Sequence, residues 1–84
     1  METALKEFHN SLTKFRAGCP WKKDESFEKL IIELDKEVVE LKQATENCDV
    51  ENMHEELGDV LFDALTIGVL AEEKGLFTLK EVIE

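Results

Sequence analysis

The feature that most constrains this chain is its scarcity of punctuation. One proline, Pro20, and four glycines, Gly18, Gly58, Gly68 and Gly75, are spread over 84 residues. Sheets of short strands need turn residues far more often, so the sequence favours long helices. Apolar residues recur at helical spacing to match. A first helix is expected from about Glu2 to Phe15, with Ala4, Phe8, Leu12 and Phe15 on one face, and Gly18-Cys19-Pro20 breaks it. A second should begin near Glu25 behind an Asp24 cap, with Leu30, Leu34, Val38, Leu41 and Thr45 as its stripe. Asn47-Cys48 reads as a turn and Asp49 as the next cap. The third helix turns Met53, Leu57, Val60, Leu61, Ala64, Gly68 and Ala71 towards a core. Gly75, after Lys74, suits its C-terminal cap. Thr78 with Glu81 reads as a capping box for a short last helix. Nothing reads as a strand. The expected class is all-α: one domain over residues 1–84, a compact antiparallel bundle of about four helices.

Composition sets the next limits. Hydrophobic residues make up 43% of the chain, enough for a core, but a chain this short buries a modest one. Leu61-Phe62, Leu65, Ile67 and Val69-Leu70 make the third helix apolar nearly all round, and such a helix is buried on several sides. The extra faces need a second chain, so the core is expected to be completed by homo-oligomerisation. Twenty acids against ten bases leave a net charge of −10. That balance repels nucleic-acid polymers and anionic membranes, and leaves open a polyanionic ligand that arrives with a divalent metal. No apolar run reaches the roughly 18 residues of a membrane span. Met1 to Asn10 is polar, without the apolar stretch of a signal peptide. Cys19 and Cys48 form no close pair, which fits a reducing, cytoplasmic location. Together with His9 and His54 they lack the paired spacing of zinc sites.

The chemistry-bearing residues are acids. Glu33, Glu37 and Glu40 recur at i, i+4 and i+7 on the second helix, in a column beside its apolar stripe. Glu56, Asp59 and Asp63 do the same at i, i+3 and i+7 on the third. Antiparallel packing through the stripes lets the two columns face each other at the edge of the core. Like charges so placed destabilise helices by a few tenths of a kcal/mol per pair, and more when partly buried. A divalent cation offsets this. Mg²⁺ takes hard oxygen ligands and keeps room for substrate phosphates, and Mn²⁺ can substitute. The plain alternative is a pair of solvated acidic faces. A di-iron bundle would need Glu-x-x-His on two helices, whereas Glu51-x-x-His54 stands alone.

The words themselves go further. Cys19-Pro20-Trp21, Leu30, Glu37-Val38-Val39-Glu40, Glu55-Glu56-Leu57-Gly58-Asp59 and Ala71-Glu72-Glu73-Lys74-Gly75 resemble, in order and spacing, the MazG family of nucleoside triphosphate pyrophosphohydrolases. The resemblance runs from Gly18 to about Glu84. It implies an all-α fold whose core is shared between subunits, as a homodimer or homotetramer. It also implies Mg²⁺-dependent hydrolysis of (deoxy)nucleoside triphosphates to monophosphate and pyrophosphate. The family's metal-binding acids fall on Glu37, Glu40, Glu56 and Asp59, which would be the catalytic set. Glu33 and Asp63 extend the columns as weaker nucleotide contacts.

Three departures bear on this reading. Lys36 stands where the family usually has an acid; it can pair with Glu40 or Glu33, or reach a phosphate. Phe27 replaces a frequent histidine and can stack on a base or fill core. Longer members continue into a basic stretch, and without it phosphate contacts fall to Lys14, Arg16, Lys22, Lys23 or a partner subunit. These departures motivate an alternative: a catalytically weak or inactive helical homo-oligomer of the same family that binds nucleotide or a protein partner. Trp21 reads as a lid or packing residue before a base-stacking plate. Gly58 reads as a close helix-packing position.

Overall fold

The computed structural model describes residues 2–17 and 26–84. The expected break at Gly18-Cys19-Pro20, the Asp24 cap, and Trp21, Lys22 and Lys23 lie outside the described residues. Four helices follow in order: α1 (Glu2–Ala17), α2 (Phe27–Glu46), α3 (Val50–Glu73) and α4 (Leu79–Ile83). No strand occurs among the described residues, which form an all-helical architecture. No described helix is long and apolar enough to cross a membrane.

Local chemistry sets the boundaries. Ser26, not a residue before Glu25, caps α2. Its backbone is extended (φ −139°, ψ 161°) and its hydroxyl accepts the Lys29 N–H at 3.2 Å, which leaves Phe27 as the first helical residue. Asp49 caps α3 through the Asn52 N–H at 3.2 Å. Thr78 caps α4 through the Glu81 N–H at 3.1 Å, and its hydroxyl donates to the Glu81 carboxylate at 3.1 Å. Both long helices end in the same motif. At the end of α3, the Leu76 N–H reaches the Ala71 carbonyl and the Gly75 N–H reaches that of Glu72, with Gly75 at φ 71°. At the end of α2, the Asp49 N–H reaches the Ala44 carbonyl and the Cys48 N–H that of Thr45, with Cys48 at φ 52°. This tight exit turns α3 straight back along α2 as an antiparallel hairpin.

The core sits at the other end of that hairpin. Leu12, Leu65, Val69 and Leu79 are buried together, with Leu5 and Phe8 packed against them. Glu72 ties three helices: it accepts the Leu79 backbone N–H at 2.7 Å and lies 2.9 Å from His9 Nε2. Arg16, only 3% exposed, binds Glu73 through Nε at 2.6 Å and Nη2 at 2.9 Å. Such a bidentate pair fixes orientation as well as distance.

Several expectations need correction. Ala4 and Phe15 are exposed, because α1 packs through Leu5, Phe8 and Leu12. Leu57, Leu61 and Ala64 also lie outside the core of this chain, whose α3 contribution is concentrated from Leu65 to Ala71. Gly58 is no packing position among the described residues: a Cβ there would have none of their atoms within 4 Å. Gly68 is the packing glycine, since a Cβ on it would collide with Leu79 Cδ1. The difference is one of position: Gly58 lies beside the acidic seam and Gly68 under α4.

Candidate metal centre

The antiparallel run of α2 against α3 determines which acids meet. Glu37 faces Glu56 and Asp59, and each of the three offers a carboxylate oxygen within 4.8 Å of the others. Glu37 and Glu56 are half-buried; Asp59 is exposed. Glu40, one turn on along α2, is exposed and bears on Glu56 from the side, outside the three-residue set. Glu33 and Asp63 form the next rung, where their charges act on each other. The six acids picked out by spacing therefore line one seam. Lys36 is beside it but turned to Glu33, with Nζ 3.4 Å from Oε1.

Electrostatics mark the seam as unfinished on its own. Glu37 Oε2 and Glu56 Oε2 are buried and have no hydrogen-bond partner among the described residues. Carboxylates facing carboxylates are all acceptors, so none can satisfy another unless one holds a proton. Glu56 does so readily. Hydrogen bonding to Glu40, desolvation, hydrogen bonding to Glu37 and the charges of both push its pKa up to about 7. For Glu37 the contact with Glu56 acts downward, but desolvation and the charges of Glu40, Asp59 and Asp63 outweigh it and leave the carboxyl raised. Asp63 is raised by burial, then by Glu33 and Asp59.

This donor set suits a hard divalent cation. Oxygen ligands around octahedral Mg²⁺ stand about 3–4.2 Å apart, given a metal–oxygen distance of about 2.1 Å. The carboxylate oxygens lie within 4.8 Å of one another, so the set stands close to that range. An ion there would engage the orphaned oxygens and offset the repulsion among the carboxylates.

Residues 25–84 match the model of the MazG nucleotide pyrophosphohydrolase domain. The chain belongs to the MazG family. It is 35% identical over 81 residues to the nucleoside triphosphate pyrophosphohydrolase/pyrophosphatase MazG of Thermotoga maritima, covering 94% of this chain and 32% of that protein. It is 39% identical over 67 residues to the uncharacterized protein YabN of Bacillus subtilis, covering 80% and 14% of the two. It is 31% identical over 65 residues to the nucleoside triphosphate pyrophosphohydrolase of Escherichia coli K12, covering 77% and 25%. This chain thus spans a third or less of the length of these relatives. No solved structure matches it.

Two polar anchors outside the seam were not singled out by sequence reasoning: the Glu72 clamp and the Arg16–Glu73 pair. Arg16 had been a candidate phosphate contact, but it is buried and directed to Glu73. The pairings span 63 and 57 residues, so no local spacing announces them.

Proposed function

We propose that this chain, acting as one domain, hydrolyses the α–β phosphoanhydride of (deoxy)nucleoside triphosphates to monophosphate and pyrophosphate. The observation that carries the reading is the seam itself: three carboxylates within 4.8 Å, two of them with unpartnered buried oxygens, on the family's acidic words. Glu37, Glu56 and Asp59 would hold Mg²⁺, or Mn²⁺ in its place, with Glu40 as a fourth ligand. When bound, the ion would supply charge neutralisation at the phosphate oxygens. The carboxylates do the remaining work. Those committed to the ion fix its place between α2 and α3. Glu40, outside the three-residue set and so the ligand least committed to the ion, would take the proton of the attacking water. Family membership and the two relatives named as pyrophosphohydrolases support the substrate class.

We also propose a homodimer or homotetramer. Ile31, Ile32, Val38, Val39, Leu57 and Leu61 are all about half exposed, more apolar surface on two adjacent helices than a monomer normally leaves wet. A second reading, a nucleotide-binding oligomer without turnover, draws on Arg16 and Lys36 being directed to Glu73 and Glu33 rather than to open solvent. One experiment separates the two. The chain is incubated with NTPs and dNTPs plus Mg²⁺, and pyrophosphate release is measured beside calorimetric binding. Turnover that disappears in Glu56→Gln supports hydrolysis; binding of Mg-nucleotide without consumption supports the second reading.

A further inference from the structure

Beside the acidic seam, α1 and α3 enclose a groove of about 250 Å³ lined, among the described residues, by Phe8, Ser11, Leu12, Phe15 and Phe62. Leu12 belongs to the core, and Phe8 is anchored edge-to-face on Phe62, their centroids 5.7 Å apart. The other rings are wet: Phe15 is 68% exposed and Phe62 45%. An aromatic side chain contributes most when its faces are covered, so two exposed phenyl rings flanking one groove mark a surface suited to a flat apolar partner.

Position identifies that partner. Phe62 follows Asp59 by three residues and precedes Asp63 by one. Asp59 and Asp63 both act on Glu37 of α2, whereas Phe62 packs on Phe8 of α1. α3 therefore presents acids and a phenyl ring on neighbouring faces, separated along its axis by about 4.5 Å at 1.5 Å per residue. A ligand whose phosphates sat on an ion in the seam could extend its other end along α3 towards Phe62 and this groove. The groove is smaller than the roughly 300–1,000 Å³ that encloses a whole drug-sized ligand. It is the size for a ring system.

We propose that Phe15 and Phe62, steadied by Phe8 and Leu12, form the stacking platform for the base of the nucleotide. This rests on the reading of the acidic seam given above. Ser11 supplies the only polar lining among the described residues, so the platform ranks bases by stacking area more than by hydrogen-bond pattern. That gives this end of the site a broad base tolerance, with purines ahead of pyrimidines.

The test compares binding of two probes to the full chain by calorimetry with Mg²⁺ present: an α,β-methylene analogue of ATP, and inorganic tripolyphosphate, which has no base. Phe15→Leu and Phe62→Leu keep apolar bulk but remove the π faces, and Phe15 is exposed enough for the fold to tolerate the change. Each should weaken the nucleotide about five- to hundredfold and leave tripolyphosphate unchanged. The base protons of the analogue should shift upfield on binding wild-type chain and not the double variant. Unchanged nucleotide affinity in both variants, or wild-type chain binding the two probes equally, overturns the platform while leaving the seam intact. A change of oligomeric state in either variant on a sizing column also overturns it, because the groove then belongs to a second copy. Wild-type chain that binds neither probe overturns the seam reading and the platform with it.

Discussion

The two halves of α3 treat their acids in opposite ways. Near its C-terminal end each acid faces a cation or a donor: Glu73 meets Arg16, and Glu72 meets His9 and the Leu79 N–H. Burial acts upward on the Glu72 carboxyl, but the Leu79 N–H and His9 outweigh it and hold its pKa low. In the N-terminal half, Glu56 meets only other acids and rises to about 7. One helix thus carries the same residue type as a strut at one end and as a crowded carboxylate among like charges at the other. The lesson is that charge spacing alone does not make a site. The site is where like charges are brought together and left without partners, an arrangement that stability alone would not maintain.

The largest effect expected is on the crowded half. Glu56→Gln should lower Mg²⁺-dependent turnover by about 10²–10⁴-fold, the scale on which a positioned catalytic group acts. The same variant should melt higher than wild type when metal is withheld, because it removes repulsion. An activity assay and a metal-free melt read the two signs together. A variant that loses both activity and stability would place Glu56 with the struts.

The core packed under the supported half should respond first in stability. Leu12→Ala, in the buried cluster, should cost about 2–5 kcal/mol in chemical denaturation. The two helical glycines sharpen the contrast further. Gly68→Ala drives a methyl into Leu79 and should cost about 1–3 kcal/mol. Gly58→Ala meets open space and should stabilise by about 0.5–1 kcal/mol through helix propensity. Equal effects at the two positions would contradict the packing described.

Acidity divides the halves in opposite directions. Glu56 has a folded pKa of about 7 against an ordinary 4.5, so its contribution is fully present below 4.5 and is lost as pH rises through about 7. Glu72 is lowered, so its contribution is present above 4.5 and is lost as pH falls through its depressed folded value. Metal-free protein should therefore lose melting temperature as pH rises from 5.5 to 8, and saturating Mg²⁺ should cancel most of that loss. The smallest effect belongs to Lys36→Ala. Its pair with Glu33 is exposed and 3.4 Å long, so stability should move by less than about 0.5 kcal/mol.

Much of this contrast was legible in the sequence, and the rest was not, for physical reasons. The helices, the Asp49 and Thr78 caps and the hairpin turn follow from local patterns, because hydrogen bonds within four residues decide them. The acid columns were legible because their spacing repeats on both helices. Gly58 was misread because a helical glycine looks the same whether it faces a neighbour or open space; only the placement of α4 makes Gly68 the tight one. Phe15 was misassigned to the core because its spacing from Phe8 and Leu12 fits the helix, while the packed face of α1 continues from Leu12 to the buried Arg16 rather than to Phe15. The bidentate hold on Arg16 depends on how α1 docks against a residue 57 positions away.

The central claim is that α2 and α3 share one divalent ion. Its most direct measurement is the melting temperature of the chain during a Mg²⁺ titration at pH 7.5, beside Glu37→Gln and Glu56→Gln. An ion that binds only the folded seam must raise the wild-type transition with concentration and leave both variants nearly unmoved. A wild-type transition indifferent to Mg²⁺ and Mn²⁺, or one that rises equally in the variants, would contradict it.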